Sequence, residues 1–134
     1  MKAYVLRKSG PAHSLKMEEM PEPSPAADEV KVKVKSIGIN YAEILSRRGQ
    51  YNWAPKRPYI PGMEAFGEVT EVGADVKSFK KGDEVIVGRK YGAYAEYLVS
   101  KEYLTFPSGK SLSVESVHFF SFFCRITGFL LEAP

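Results

Sequence analysis

The chain has 134 residues, a length that predicts one domain with a real buried core. Hydrophobic residues at 44% and charged residues at 26% are the composition of a soluble globular protein. The net charge of +3, from 19 basic and 16 acidic side chains, is too balanced to imply nucleic acid or a membrane as partner. The single cysteine, Cys124, excludes an internal disulfide framework and any Cys-rich structural zinc site, and a reducing cytoplasm fits it. Met1 to Val5 carry a charge but no long apolar run, so no signal peptide is expected. The most apolar stretch, residues 117–131, contains His118, Arg125 and Gly128 and is short of a membrane span.

Residues 2–8 read as a first strand, with Tyr4 and Leu6 on one face and Ala3, Val5 and Arg7 on the other. Ser9-Gly10-Pro11 is turn chemistry, and residues 15–20 alternate again. Pro21-Glu22-Pro23-Ser24-Pro25 cannot join a sheet interior and predicts an extended connector. The clearest strand is 29–37, where Val30, Val32 and Val34 alternate with Lys31, Lys33 and Lys35. A solvated face that discourages edge pairing is the preferred reading of these lysines over a phosphate-binding stripe.

Residues 41–48 predict a helix of about two turns. Asn40 suits the N-cap, Glu43 completes a capping-box pattern and Gly49 suits the residue after the helix. Arg47 and Arg48 suit the C-terminal end of the helix dipole. A loop over 50–57 carries Tyr51 and the only tryptophan, Trp53. The Pro61-Gly62 turn then leads into a strand over 65–72. Gly67 interrupts that strand, which predicts a bulge or a close backbone approach. Further strands are expected over 84–87 and 93–99. Short strands spaced by Gly and Pro turns, with one short helix, predict a mainly β protein, a small barrel or sandwich. Any chemistry is expected where the Met63-Glu64 corner faces the helix.

The tail reads differently. Residues 108–113 are polar, and Phe119, Phe120, Phe122 and Phe123 then crowd together. Val114, Val117, Phe120 and Phe123 have helical spacing, while Phe119 and Phe122 would widen the face. So apolar a segment needs a partner surface.

Taken together, Gly38-Ile39-Asn40-Tyr41-Ala42-Glu43, Arg48-Gly49-Gln50-Tyr51, Ile60-Pro61-Gly62-Met63-Glu64, Gly67-Glu68-Val69, Val72-Gly73, Lys81-Gly82-Asp83-Glu84-Val85 and Gly92-Ala93-Tyr94-Ala95-Glu96-Tyr97 carry a resemblance. In this order and spacing, over residues 1–115, the chain resembles the N-terminal domain of the zinc-independent medium-chain dehydrogenases/reductases, the quinone oxidoreductase group. The resemblance implies a GroES-like β-barrel with one short helix. Zinc-dependent relatives have Cys in the place of Asn40 and His in the place of Met63. An amide and a thioether are poor zinc ligands, Glu64 alone cannot hold the metal, and His13, His118 and Cys124 match no ligand spacing. No zinc is therefore expected.

Without metal, hydride transfer from a nicotinamide rests on hydrogen bonding and positioning. The resemblance places Asn40 and Tyr51 beside bound NADPH, and Tyr41 and Met63 in the pocket of a quinone or enone. Beside these stand plainer readings: Asn40 as a cap, Tyr41 as packing, Tyr51 as a loop aromatic. Arg47 or Arg48 on a cofactor phosphate is less favoured than a solvated helix end.

Family members continue into a Rossmann domain with a glycine-rich turn, which this sequence lacks. Residues 116–134 depart from the family pattern and form an atypical apolar tail, as a truncation or a shifted reading frame would produce. The expectation is a substrate-domain fragment of an NADPH-dependent quinone or enone reductase, inactive as an isolated chain. It would act on small molecules in the cytoplasm, with no nucleic acid or membrane partner and with a homodimer left open. The alternative is a stand-alone interaction domain docking through the Phe-rich tail. A GroES-like co-chaperonin ranks third, because the Asn40 helix and the 61–64 corner belong to the dehydrogenase pattern.

Overall fold

Alternating valines and lysines make Glu29–Ile37 (β3) a long strand, with Val30 and Val32 fully buried. The computed structural model describes residues 1–108, so every expectation for residues 109–134 lies outside the described residues. Around β3 run β1 (Lys2–Leu6), β2 (Leu15–Glu19), the helix α1 (Tyr41–Arg48), β4 (Glu64–Val72), β5 (Glu84–Gly88), β6 (Tyr97–Lys101) and β7 (Thr105–Pro107). β1 and β2 form an antiparallel pair. The other five strands form a second sheet in the order β6-β3-β4-β5-β7, every pairing antiparallel. The result is a mainly β, curled half-barrel with a single short α-helix among the described residues, and no Rossmann unit. Its core is Val30, Val32, Ala65, Val69, Val85, Val87, Ala93 and Leu98.

Two bulges bend the central pair β3 and β4. The register slips between Lys31 and Val32 and again between Val34 and Ser36, where the extra residue Lys35 sits opposite the Phe66-Gly67 step. At Gly67 the two backbones come close. A Cβ there would overlap the Lys33 carbonyl oxygen and lie 2.7 Å from Val32 Cγ1.

Three expectations need correction. β3 is not an edge, since β4 and β6 flank it. Of its lysines, Lys33 and Lys35 are exposed as expected, but Lys31 pairs with Glu22 at 2.5 Å and lies over the Tyr97 ring, and Lys35 bridges Glu68 and Glu84 at 3.1 and 2.9 Å. The carboxylates come from β4, β5 and the proline-rich connector, a fact that one strand's alternation does not contain. In β1, Ala3, Val5 and Leu6 are all buried while Tyr4 is 41% exposed. Alternation breaks because Leu6, still paired with Leu15, also exchanges backbone hydrogen bonds with Tyr59 at 2.9 and 3.3 Å and is covered on that side too. The strand expected over 93–99 begins only at Tyr97. Its first residues are diverted, with Ala93 and Tyr94 donating their N–H groups to the carbonyls of Gly62 and Pro61. β7 has no counterpart among the expected strands.

Candidate functional site

Helix α1 starts at a capping box formed by Asn40 and Glu43 and ends at Gly49, whose φ of +78° is left-handed. Gly49 N–H reaches the carbonyls of Leu45 and Ser46. Glu43 does more than cap. It is only 7% exposed, and its carboxylate accepts the backbone N–H of Asn40, the backbone N–H of Met63 at 2.7 Å and the hydroxyl of Tyr94 at 3.1 Å. One turn on, Ser46 hydrogen-bonds the hydroxyl of Tyr59, and its carbonyl accepts Nη2 of Arg57 at 3.0 Å.

Opposite the helix lies the corner before β4. Gly62 holds a φ of +102°, and a Cβ there would lie 2.5 Å from the Tyr94 ring. Residues 89–94 wrap the corner: Arg89 N–H reaches the Met63 carbonyl at 2.8 Å, and Tyr94 N–H reaches that of Pro61 at 2.9 Å. Burial pulls the Arg89 guanidinium below its ordinary value, and its Nη1 donates to the Val99 carbonyl at 3.0 Å. Burial also pushes the Tyr94 hydroxyl well above the usual tyrosine range, with Glu43 and Glu64 adding to the rise, so it stays protonated and donates.

Helix and corner enclose a narrow crevice whose lining includes Glu43, Ser46, Tyr51, Trp53, Tyr59 and Met63. Tyr51 and Trp53 stand with ring centroids 6.5 Å apart, and Tyr59 meets Tyr91 edge-on at 6.2 Å. Between these aromatic walls and few polar groups the free space is about 10 Å³, room for no more than a water molecule.

The structure brings Tyr51 and Met63 to this crevice. Asn40 stands one hydrogen bond from it, through Glu43, and its Nδ2 is buried without a hydrogen-bond partner among the described residues. Tyr41 is not brought in: it is 68% exposed and does not line the crevice. Arg47 is turned to structural use, donating from Nη1 to the Gly10 carbonyl, and Arg48 is exposed. Sequence reasoning takes Glu43 as a cap only, and passes over Ser46, Tyr59 and Tyr94. The available signal is the polar pair Glu43 and Ser46, three residues apart and so on one helix face. Among the described residues, no cluster of His, Cys, Asp and Glu is arranged to hold a metal ion, and no helix is long and apolar enough to cross a membrane.

An antiparallel half-barrel that sets one short helix against a Pro-Gly corner defines a GroES-like domain of the kind found in medium-chain dehydrogenases/reductases. The chain belongs to the alcohol dehydrogenase GroES-like domain family, which matches residues 26–110. It is 35% identical over 96 residues to mouse synaptic vesicle membrane protein VAT-1 homolog-like, covering 72% of this chain and 23% of that protein. Rat quinone oxidoreductase is 34% identical over 114 residues, which cover 84% of this chain and 35% of that protein. Among solved structures, the quinone oxidoreductase of Thermus thermophilus, known also in complex with NADPH, superposes with a TM-score of 0.74 at 31% identity, over 88% of this chain and 36% of that one. The chain thus spans roughly a quarter to a third of the length of these curated relatives.

Proposed function

We propose that this chain is the substrate-side domain of a zinc-independent, NADPH-dependent quinone or enone oxidoreductase. The observation that carries the reading is the family match over residues 26–110, beside 34% identity to rat quinone oxidoreductase. As an amide, Asn40 can donate to a carbonyl or a ribose hydroxyl. NADPH, when bound, supplies the hydride. Asn40 and Tyr51 hold its nicotinamide end, while Met63 and the aromatic wall seat the flat acceptor and keep water from it. Tyr41, exposed outside the crevice, meets the acceptor only as it enters. The residues fit such a cofactor and fit zinc poorly, because Asn40 and Met63 offer an amide and a thioether.

Residues 1–115 are the domain and 116–134 an added tail, a division supported by the family match ending at residue 110. The partners in this reading are small molecules in the cytoplasm rather than nucleic acid or membrane, with a homodimer as the form to test. The chain alone lacks turnover, because no glycine-rich pyrophosphate turn occurs in it.

NADPH oxidation with 9,10-phenanthrenequinone tests this on two samples: the purified 134-residue chain, and the native gene product isolated through a peptide from residues 59–77. The expected result is no steady rate from the chain and a steady rate from the native product, lowered at least tenfold by Asn40→Ala. Turnover by the pure chain overturns the claim of inactivity. A native product without activity overturns the reductase reading.

A further inference from the structure

We infer that Glu43 is a positioning residue, a carboxylate clamp that ties the Asn40 end of α1 to Met63 at the corner, with Tyr94 as its lock. The inference rests on the reductase reading for its purpose, but its geometry stands without it. A helix cap requires one acceptor for the Asn40 N–H. Here the same carboxylate reaches two more donors, from segments 20 and 51 residues away in sequence: the Met63 N–H on Oε1 and the Tyr94 hydroxyl on Oε2. Neither is needed to start α1. Both oxygens are committed, and among the described residues no ion pair includes Glu43, so its hydrogen bonds carry the compensation for its burial.

The clamp closes a loop of contacts. Tyr94 donates its side chain to Glu43 and its backbone N–H to Pro61, two residues before Met63. Gly62 lies so close to Tyr94 that a Cβ there would come 2.5 Å from its ring and 2.7 Å from its backbone nitrogen. A shift of Met63 relative to Asn40 therefore breaks bonds in three segments at once. A glutamine would still cap α1, as capping boxes permit, but offers one acceptor oxygen where two are in use. That asymmetry separates clamp from cap.

The test follows the backbone amides of Asn40 and Met63 in the 15N-labelled 134-residue chain, by proton shift and hydrogen exchange. Glu43→Gln is expected to move both amide shifts and to speed exchange at one or both at least tenfold, with the core amides of Val32 and Val87 unchanged. Tyr94→Phe, which leaves the cap intact, is expected to move the Asn40 amide as well, although Tyr94 touches that residue only through Glu43. An unmoved Met63 amide in Glu43→Gln, or an unmoved Asn40 amide in Tyr94→Phe, reduces Glu43 to a cap and overturns the inference. In the active native protein, Glu43→Gln is expected to lower kcat at least tenfold with the KM for NADPH unchanged. An unchanged kcat overturns the positioning role. A wild-type protein without quinone-dependent turnover counts against the reductase reading alone, since the amides decide the clamp.

Discussion

Tyr94 shows what burial does to one side chain. Low polarity disfavours its phenolate first, and the neighbouring Glu43 and Glu64 carboxylates raise the cost of a second negative charge. In the unfolded chain this hydroxyl ionises near pH 10. In the fold it does not, so above that pH the folded state keeps a proton that the unfolded state has lost. Its contribution to stability is complete below about pH 10 and is lost as the pH rises toward its raised folded value. Tyr94→Phe should therefore cost about 1–3 kcal/mol at neutral pH, from the lost charge-assisted hydrogen bond. It should also flatten the fall of Tm above about pH 10 relative to wild type, as read by thermal melts across that range. A parallel fall in both proteins would show that Tyr94 ionises freely in the fold.

Pairing geometry decides stability at the scale of elements, and glycines test it cleanly. Gly67→Ala would push a methyl group into the Lys33 carbonyl across the β3–β4 pair. Backbone cannot yield there as a side-chain tip would, so a loss of about 2–3 kcal/mol is expected, read as a lower urea midpoint at unchanged m. Gly88→Ala, at the end of β5, meets nothing within 4 Å and should stay within about 0.5 kcal/mol of wild type. Equal effects at the two sites would refute the close approach. The elements themselves are largely legible in the sequence. β3 and α1 have the bounds that alternation and capping residues predict, because both signals are local. β6 starts four residues later than alternation predicts, at Tyr97 rather than Ala93. The hydrogen bonds that divert Ala93 and Tyr94 come from a corner some thirty residues earlier in the chain.

Over the whole molecule, three carboxylates near the surface, Glu18, Asp28 and Glu102, contribute to acid sensitivity. Arg7 holds Glu18 below its ordinary value through a two-pronged hydrogen bond, Lys101 does the same for Asp28, and the backbone N–H groups of Ser78 and Lys77 do so for Glu102. Lowered folded pKa values mean that this stability is present above the ordinary carboxylate range and is lost as the pH falls through the lowered values. Tm should therefore drop below about pH 4. Glu102→Gln should lower Tm at neutral pH and shallow that drop. Added salt should weaken the Arg7–Glu18 contribution more than that of Glu102, because exposed ion pairs are screened while hydrogen bonds to backbone N–H groups are less so. An acid limb identical in Glu102→Gln and wild type would remove Glu102 from this account.

The sequence by itself determined the strand and helix periods, the turns and the family pattern. Tertiary structure alone decided that Glu43 spans Asn40, Met63 and Tyr94, that Lys35 meets carboxylates of β4 and β5, and that Tyr41 stands outside the crevice Tyr51 lines. The division has one physical cause. Periodicity and capping arise between residues a few positions apart, while burial and hydrogen-bond partnership at this site join segments that only the closing of the half-barrel brings together.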